Sequence, residues 1–428
     1  MKERVVPLIA ESALEAGRFG GKASNQAALA RAGLPVPDGF CLSAEAYRLQ
    51  MAALGLERSA RAVFSSADRP TARRCALEVK LGLLDRAIIP EIAAPLVGAW
   101  HELTRRAGPL VCVRSSALVE DRLGTSFAGQ FESFIGIEGE GDFLTAVRSC
   151  WAALWMTRAL RYMASHEIDP ADTAMAVLVQ PLVQAQVSGG GLSRTGEDQV
   201  LLSATWGLGS SIAQGEVTPD RYLLTRDGRL LERVAGRKDH AVGCAHQAAP
   251  GARPVPAAMI DAACLAPEQI GELFELLRRA EAVIGMPVEI EWALDRGGFK
   301  LLQARPLQLA SAPPSEEVWI GQPRLRGHPA GTGWGEGRAR VVHCECELSR
   351  VGPGDVLVTG VAGPALSDVL SSVAGVVAER GGSTSHLASL ARERGIPMVL
   401  GVFEATRRVP EGARILVDGT AGAVQWAR

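Results

Sequence analysis

Small and apolar residues recur at helical spacing over residues 24–33, and the run stops at Gly33 before Leu34-Pro35-Val36-Pro37, so a glycine-rich turn leads into a helix there. Residues 45–107 hold long Ala/Leu/Arg/Glu stretches of helical character. After them LVCVRSS (110–116) has the β-branched content of a buried strand, with its arginine at the strand's end. The pattern over 142–165 predicts one amphipathic helix with Trp151 and Trp155 four residues apart, both read as core. MAVLVQPLVQA (175–185) reads as paired buried strands broken at Pro181. Short strand-like runs alternate with glycine turns from 199 to 235, and 265–285 is a helix closing at Gly285. PVEIEWAL (287–294) and KLLQARPL (300–307) then form a hairpin around Asp295-Arg296-Gly297-Gly298, with Glu289 and Glu291 on one face, opposite Val288, Ile290 and Trp292.

Between Leu309 and Gly327 the prolines and acidic residues follow no period, which is linker composition, and such a stretch could span about 60 Å when extended. Beyond it, Val-rich strands (GRARVVHC, GDVLVTG, VAGVVAE) and the helical HLASLARERG describe a small, self-contained α/β module. The expected fold class is therefore α/β (α+β): a large region over 1–310, a linker over 311–327 and a second domain over 328–428.

Composition narrows the function classes. The net charge of -2 from 45 basic and 47 acidic residues gives no general pull toward nucleic acid or an anionic membrane. No apolar run approaches the 20 or so residues needed to span a bilayer, and the amino terminus lacks a signal-peptide pattern, so a cytoplasmic protein is expected. The eight cysteines include no CxxC pair, which favours reduced, mostly buried thiols. At His343-Cys344-Glu345-Cys346 the residue types could suggest a metal cluster, but none is expected there.

Four constellations carry candidate chemistry. Gly17-Arg18-Phe19-Gly20-Gly21-Lys22 offers close backbone approach and a point charge ahead of a helix, a setting for phosphate, although the spacing is not that of a Walker loop. Arg114-Ser115-Ser116 with the small-residue stretch Ser126-Phe127-Ala128-Gly129-Gln130-Phe131-Glu132-Ser133 could cradle a phosphate, or Arg114 could simply pair with Glu120 or Asp121. Glu289, Glu291, Gln303 and Arg305 would present carboxylates, an amide oxygen and a guanidinium together, which suits Mg²⁺ on nucleotide phosphates and equally a solvated hairpin face. Last, Glu379-Arg380-Gly381-Gly382-Ser383-Thr384-Ser385-His386 runs into a helix. An imidazole there could attack phosphorus with amides and hydroxyls receiving the phosphoryl oxygens.

In this order, GGKASNQAALARAGLPVPDGF, VRSSALVEDRLGTSFAGQFESF, GLGSSIAQGEVTPDRY, EIEWALD with LLQARPL, and GGSTSHLASLARERGIPMVLG resemble the phosphohistidine dikinases, the family of phosphoenolpyruvate synthase, pyruvate phosphate dikinase and rifampin phosphotransferase. The resemblance implies an ATP-grasp nucleotide-binding region and a swivelling β/β/α phosphohistidine domain. It implies that Lys22, Arg114 and Arg305 hold ATP phosphates, that Gly129 and Ser133 lie in a covering loop, and that Gln180, Pro181 and Leu182 line the adenine. Glu291 and Gln303 would bind Mg²⁺, and His386 would be the phosphorylated nucleophile, with Arg380 and Thr384 beside it and Lys22 and Arg114 completing the catalytic set. In the family, AMP and phosphate leave and a phosphoryl group moves on to an acceptor.

Three departures stand out. The family's GLGE is Gly207-Leu208-Gly209-Ser210 here, the Asp-Pro segment is reduced to Ser188-Gly189-Gly190-Gly191-Leu192-Ser193-Arg194, and no long acceptor domain fits the linker. The expected activity is phosphoryl transfer from ATP through His386 to a small-molecule acceptor. A condensing enzyme that activates its substrate by phosphorylation uses the same residues, as does a donor subunit serving a separate acceptor protein, and a non-catalytic ATP-binding partner is the rival class.

Overall fold

The computed structural model describes residues 3–66, 68–120, 127, 129–131, 133–243, 251–309 and 325–426. The chain forms two compact units, the first comprising 1–183, 244–246 and 300–305, the second the remainder.

In the first unit, β1 (Val5–Pro7), β2 (Phe40–Leu42), β3 (Val111–Ala117), β4 (Ser133–Ile137) and β5 (Met175–Pro181) make one sheet in the order β1-β2-β5-β3-β4. Helices α1 (Ala16–Arg31), α2 (Ala44–Ala53), α3 (Glu57–Ser65), α4 (Arg69–Asp85), α5 (Pro90–Ala107), α6 (Glu140–Ala153) and α7 (Thr157–Ser165) accompany it. The single helix expected over 142–165 is thus two, because Met156 takes extended backbone angles between them. Trp151 and Trp155 are core, as expected: Trp155 Nε1 donates to Tyr47 Oη at 2.9 Å, and the Tyr47 and Trp151 rings meet edge-on at 6.3 Å. The paired strands expected over 175–185 are also corrected. One strand ends at Pro181, which has no N–H to extend its ladder, and Leu182 N bonds Leu110 O at 2.9 Å before the chain leaves the sheet.

The second unit contains two sheets that matter for the site. β6 (Val187–Leu192), β7 (Val200–Trp206), β8 (Asp220–Leu224) and β9 (Leu230–Val234) run antiparallel. A small ribbon follows, β10 (His240–Gly243) with β11 (Gly251–Pro254). Helix α8 (Pro267–Ile284) ends on Gly285 in the left-handed conformation, as its sequence predicts. β12 (Val288–Asp295) lies against β6 in the order β12-β6-β7-β8-β9, and β13 (Gly298–Pro306) follows it across a turn at 296–297, within the Asp295-Arg296-Gly297-Gly298 turn expected.

From 325 onward, β14 (Leu325–Arg326), β15 (His328–Pro329), β16 (Trp334–Val342), β17 (Val356–Val361), β18 (Gly375–Arg380), β19 (Met398–Leu400), β20 (Arg414–Asp418) and β21 (Ala423–Trp426) form an eight-stranded sheet, ordered β14-β21-β20-β16-β17-β18-β19-β15. The first half of β16 pairs antiparallel with β20 and its second half parallel with β17. The valine-rich strands expected there bury Val341, Val356, Val358, Val377, Val399 and Val417 in one core. Helix α9 (His386–Arg394) is the crossover between the parallel strands β18 and β19. Residues 310–324, most of the expected linker, lie outside the described residues, as do Asp121, Ser126, Ala128 and Glu132.

Among the described cysteines, Cys41, Cys75, Cys150 and Cys264 are buried thiols, and burial pushes Cys41 up to about 12. The expectation of reduced thiols fails at Cys344 and Cys346, which form a disulfide. Cys344 is the N-cap of a 3₁₀ turn, Glu345–Arg350, which contains Cys346.

His328 packs against Gly401, and burial, with the Arg221 charge as a second cause, lowers its pKa to about 4. Its folded-state value lies below the ordinary one, so between those values the unfolded chain binds the extra proton. This contribution is present above about pH 6.5 and is lost as pH falls toward 4. Denaturant midpoints measured across that range should fall for the native protein and show a shallower slope for His328→Gln; parallel slopes would remove His328 as the cause.

Candidate active site

In the first unit Lys22 lies where α1 meets β3, and Arg114 lies on β3. Gly20 has φ 76° and breaks α1, and a Cβ there would lie 2.4 Å from Ser116 O. Across the break Ser116 Oγ donates to Phe19 O at 2.7 Å and accepts from Ala23 N at 3.1 Å. The helix restarts one residue before Lys22, whose Nζ donates to Ser115 O at 2.8 Å and pairs with Glu120 at 3.1 Å, the two side chains only 7% and 5% exposed. Glu120 therefore serves Lys22 and not Arg114.

Arg114 lies within β3 and not at its end. It donates to Leu302 O and to Gln303 Oε1, the latter at 2.9 Å, and stands in register opposite Ser133 on β4. Gln303 and Arg305, two residues apart on β13, are both buried. Asn25 Nδ2 binds the intervening Ala304 O at 3.1 Å. Gln180 is buried on β5 with its amide on Pro37 O at 2.9 Å, while Pro181 and Leu182 are half-buried at the strand's end. Gly129 takes φ 67° in the short described stretch before β4, and Ser133 is exposed.

Glu291, Arg380, Thr384 and His386 belong to the second unit. His386 is the first residue of α9, half-buried, at the carboxyl end of the parallel strand β18, where open α/β sheets place their ligands. Ser385 caps the helix by accepting from Ala388 N at 3.3 Å, and Gly381, at φ 116°, turns the chain off β18. Thr384 Oγ1 is 2.6 Å from Ser203 Oγ on β7. Arg380 reaches Asp239 at 3.2 Å and Glu216 O at 3.3 Å.

The carboxylates of β12, set on one face by alternation, do not share one environment. Glu291 is half-buried opposite Gly190, whereas Glu289 is buried and pairs with Arg392 of α9 at 3.2 Å. Sequence reasoning missed Ser203 and Asp239, which no local signal marks. Ser389 and Arg392, three and six residues after His386, could have been found as one stripe of α9. Among the described residues no cluster of three or more His, Cys, Asp or Glu could hold a metal ion. Glu291, in the second unit, and Gln303, in the first, each offer a hard oxygen donor of the kind that Mg²⁺ takes.

Fold and residues together define an α/β protein that places Lys22, Arg114, Gln303 and Arg305 in one unit and, in the other, a histidine loop at the end of the parallel strand β18. The family described as pyruvate phosphate dikinase, AMP/ATP-binding domain, matches residues 16–319, and that of the PEP-utilising enzyme, mobile domain, matches 351–422. A probable phosphoenolpyruvate synthase of Methanothermobacter thermautotrophicus is 32% identical over 421 residues, covering 96% of this chain and 61% of the relative. The phosphoenolpyruvate synthase of Escherichia coli is 30% identical over 416 residues, covering 91% and 52%. The chain thus spans roughly half to three-fifths of the curated relatives it matches. It belongs to the phosphohistidine dikinase family. No helix among the described residues is long and apolar enough to cross a membrane.

Proposed function

We propose that this chain is an ATP-dependent phosphotransferase of the dikinase type with His386 as its nucleophile. The observation that carries the proposal is the position of His386 at the carboxyl end of β18, half-exposed at the start of a capped helix, within the segment matched by the mobile-domain family. An imidazole nitrogen forms the N–P bond to the β-phosphorus of ATP. The bond from that phosphorus to the oxygen bridging the α-phosphate breaks, and AMP departs with that oxygen. Water then displaces the terminal phosphoryl group as phosphate. The group left on nitrogen passes to a small-molecule acceptor, restoring neutral imidazole.

Lys22, Arg114 and Arg305 hold the phosphates in this reading, with Gly129 and Ser133 over them and Gln180, Pro181 and Leu182 along the adenine. An entering phosphate competes with Glu120 for Lys22, so binding exchanges one buried ion pair for another. Arg380 and Thr384 flank the nucleophile and offer donors to the transferred group. Glu291 and Gln303 would hold Mg²⁺, which neutralises phosphate charge when bound. We place the reaction in the cytoplasm, where ATP is the available donor.

Incubation with Mg²⁺ and ATP labelled at the β or the γ position tests the reading. Acid-labile β-label on the protein with release of AMP is expected. ATP binding without label would favour a non-catalytic nucleotide-binding role, and AMP formed only with a second substrate that it activates for condensation would favour a condensing enzyme. Glu291→Ala and Gln303→Ala should each raise the Mg²⁺ concentration needed for half-maximal AMP release by about tenfold or more. An unchanged titration would return these residues to a plain strand surface.

A further inference from the structure

Glu289 spends its charge inside the protein. Its Oε2 accepts from Ser389 Oγ at 2.7 Å and from Arg392 at 3.2 Å, and the paired side chains are 7% and 4% exposed. Arg392 also donates to Ala330 O at 3.4 Å and to Ser383 O, three residues before His386. One guanidinium therefore ties β12, the segment after β15 and the histidine loop together.

Two further contacts flank the nucleophile. Thr384 meets Ser203 at 2.6 Å, over Gly190, where a Cβ would lie 2.7 Å from Thr384 Cβ. Arg380 reaches Asp239. A buried ion pair is a weak source of net stability, since removing both charges from water cancels much of their attraction. What it does enforce is a single geometry, because either charge left alone there is heavily penalised. The pair also joins the sheet of β6–β9 and β12 to the module that carries His386, so moving that module has to separate and rehydrate both charges.

We infer that Glu289 and Arg392, with Ser389, are positioning residues: a latch that holds the histidine module in one docked register, the register from which His386 takes its phosphoryl group. The second half of this statement rests on the proposed function, while the latch itself stands on geometry alone.

Cysteines introduced by Ser203→Cys and Thr384→Cys, oxidised with diamide, report the docked register as a disulfide between positions 203 and 384, read by peptide mass. It should form readily in the otherwise native protein. Glu289→Gln keeps the size and loses the charge, and should slow trapping by about tenfold, the scale of coupling within one buried network. The exchanged pair, Glu289→Arg with Arg392→Glu, should recover much of that loss. In proteins carrying native Ser203 and Thr384, Glu289→Gln should slow labelling at saturating ATP by a similar factor with ATP affinity unchanged.

Absence of the 203–384 disulfide in the otherwise native protein, or equal trapping with Glu289→Gln, would overturn the latch. Should Glu289→Gln fail to fold, Ser389→Ala and Arg392→Lys take its place, with slower trapping expected and native-rate trapping in both counting against the proposal. If the unaltered enzyme takes no label while trapping still depends on Glu289, the proposed function fails and the latch survives. If the unaltered enzyme is labelled while trapping is independent of Glu289, the latch fails and the proposed function survives.

Discussion

Replacing His386 with alanine is expected to abolish AMP release and acid-labile labelling, a loss of about a thousandfold or more, while ATP affinity changes by less than about twofold. The expectation separates chemistry from scaffold. The cap of α9 is made by the Ser385 hydroxyl, the turn off β18 by Gly381, and the anchoring of the loop by Arg392 and Thr384, none of which is lost with the imidazole. The residues proposed to hold phosphate, Lys22, Arg114 and Arg305, belong to the other unit and keep their own partners. AMP formation at the native rate by this variant would sink the phosphohistidine mechanism. Weakened ATP binding with slow labelling would instead mean that the imidazole helps hold nucleotide.

The largest stability effect is expected at Asp220, on β8. Asp220 and Lys238 form an ion pair in which both side chains are 0% exposed. The carboxylate also accepts from Gly236 N at 2.9 Å, Cys264 N at 2.6 Å and Tyr222 Oη at 3.2 Å, so a single group satisfies four donors drawn from β8 itself, from residues 236–238 and from Cys264. Burial pushes the Cys264 thiol and the Tyr222 hydroxyl up, and the Asp220 charge pushes both further. Asp220→Ala strands the lysine with Gly236 O, at 2.7 Å, among its remaining partners, and should cost about 3–5 kcal/mol, the usual penalty for an unpaired buried charge. Urea unfolding followed in the native protein, in Asp220→Ala and in Asp220→Ala with Lys238→Met measures it. The double variant should recover part of the loss, since it removes the orphaned charge. A single-variant loss under about 1 kcal/mol would show that water reaches Lys238.

How much of this was legible depended on how local each cause is. The start of α9 follows from a serine cap behind two glycines, the end of α8 from Gly285, and the strands after residue 325 from their valine runs; each of these signals lies within a few residues of its effect. The periodicity of 142–165 was helical throughout and gave no hint of Met156, whose extended angles divide the segment. Alternation along β12 correctly ranged Glu289 with Glu291, yet could not tell that Arg392, 103 positions later, would claim one of them. The same limit applies to Glu120, one of two acids offered as an alternative partner for Arg114, whereas the break at Gly20 brings Lys22 to it. Cys344 and Cys346 were expected as reduced thiols because no CxxC pair occurs, and the 3₁₀ turn that brings them into a disulfide left no such signal.

The glycine run of β6 has a consequence for how such chains can diverge. A Cβ at position 189 would sit 1.8 Å from Ser203 O and 2.7 Å from the Trp292 ring, both parts of its own sheet neighbours, so that position is fixed by the architecture of the sheet. At position 190 the nearest atoms all belong to Thr384, a residue of the histidine loop. Lineages in which the loop docks elsewhere are free to drift at 190 and not at 189, and lineages that keep the docking should change 190 and 384 together, a larger residue at one accompanied by a smaller one at the other. Two adjacent glycines that look identical in sequence thus answer to separate constraints, one set by the sheet and one by the docked loop.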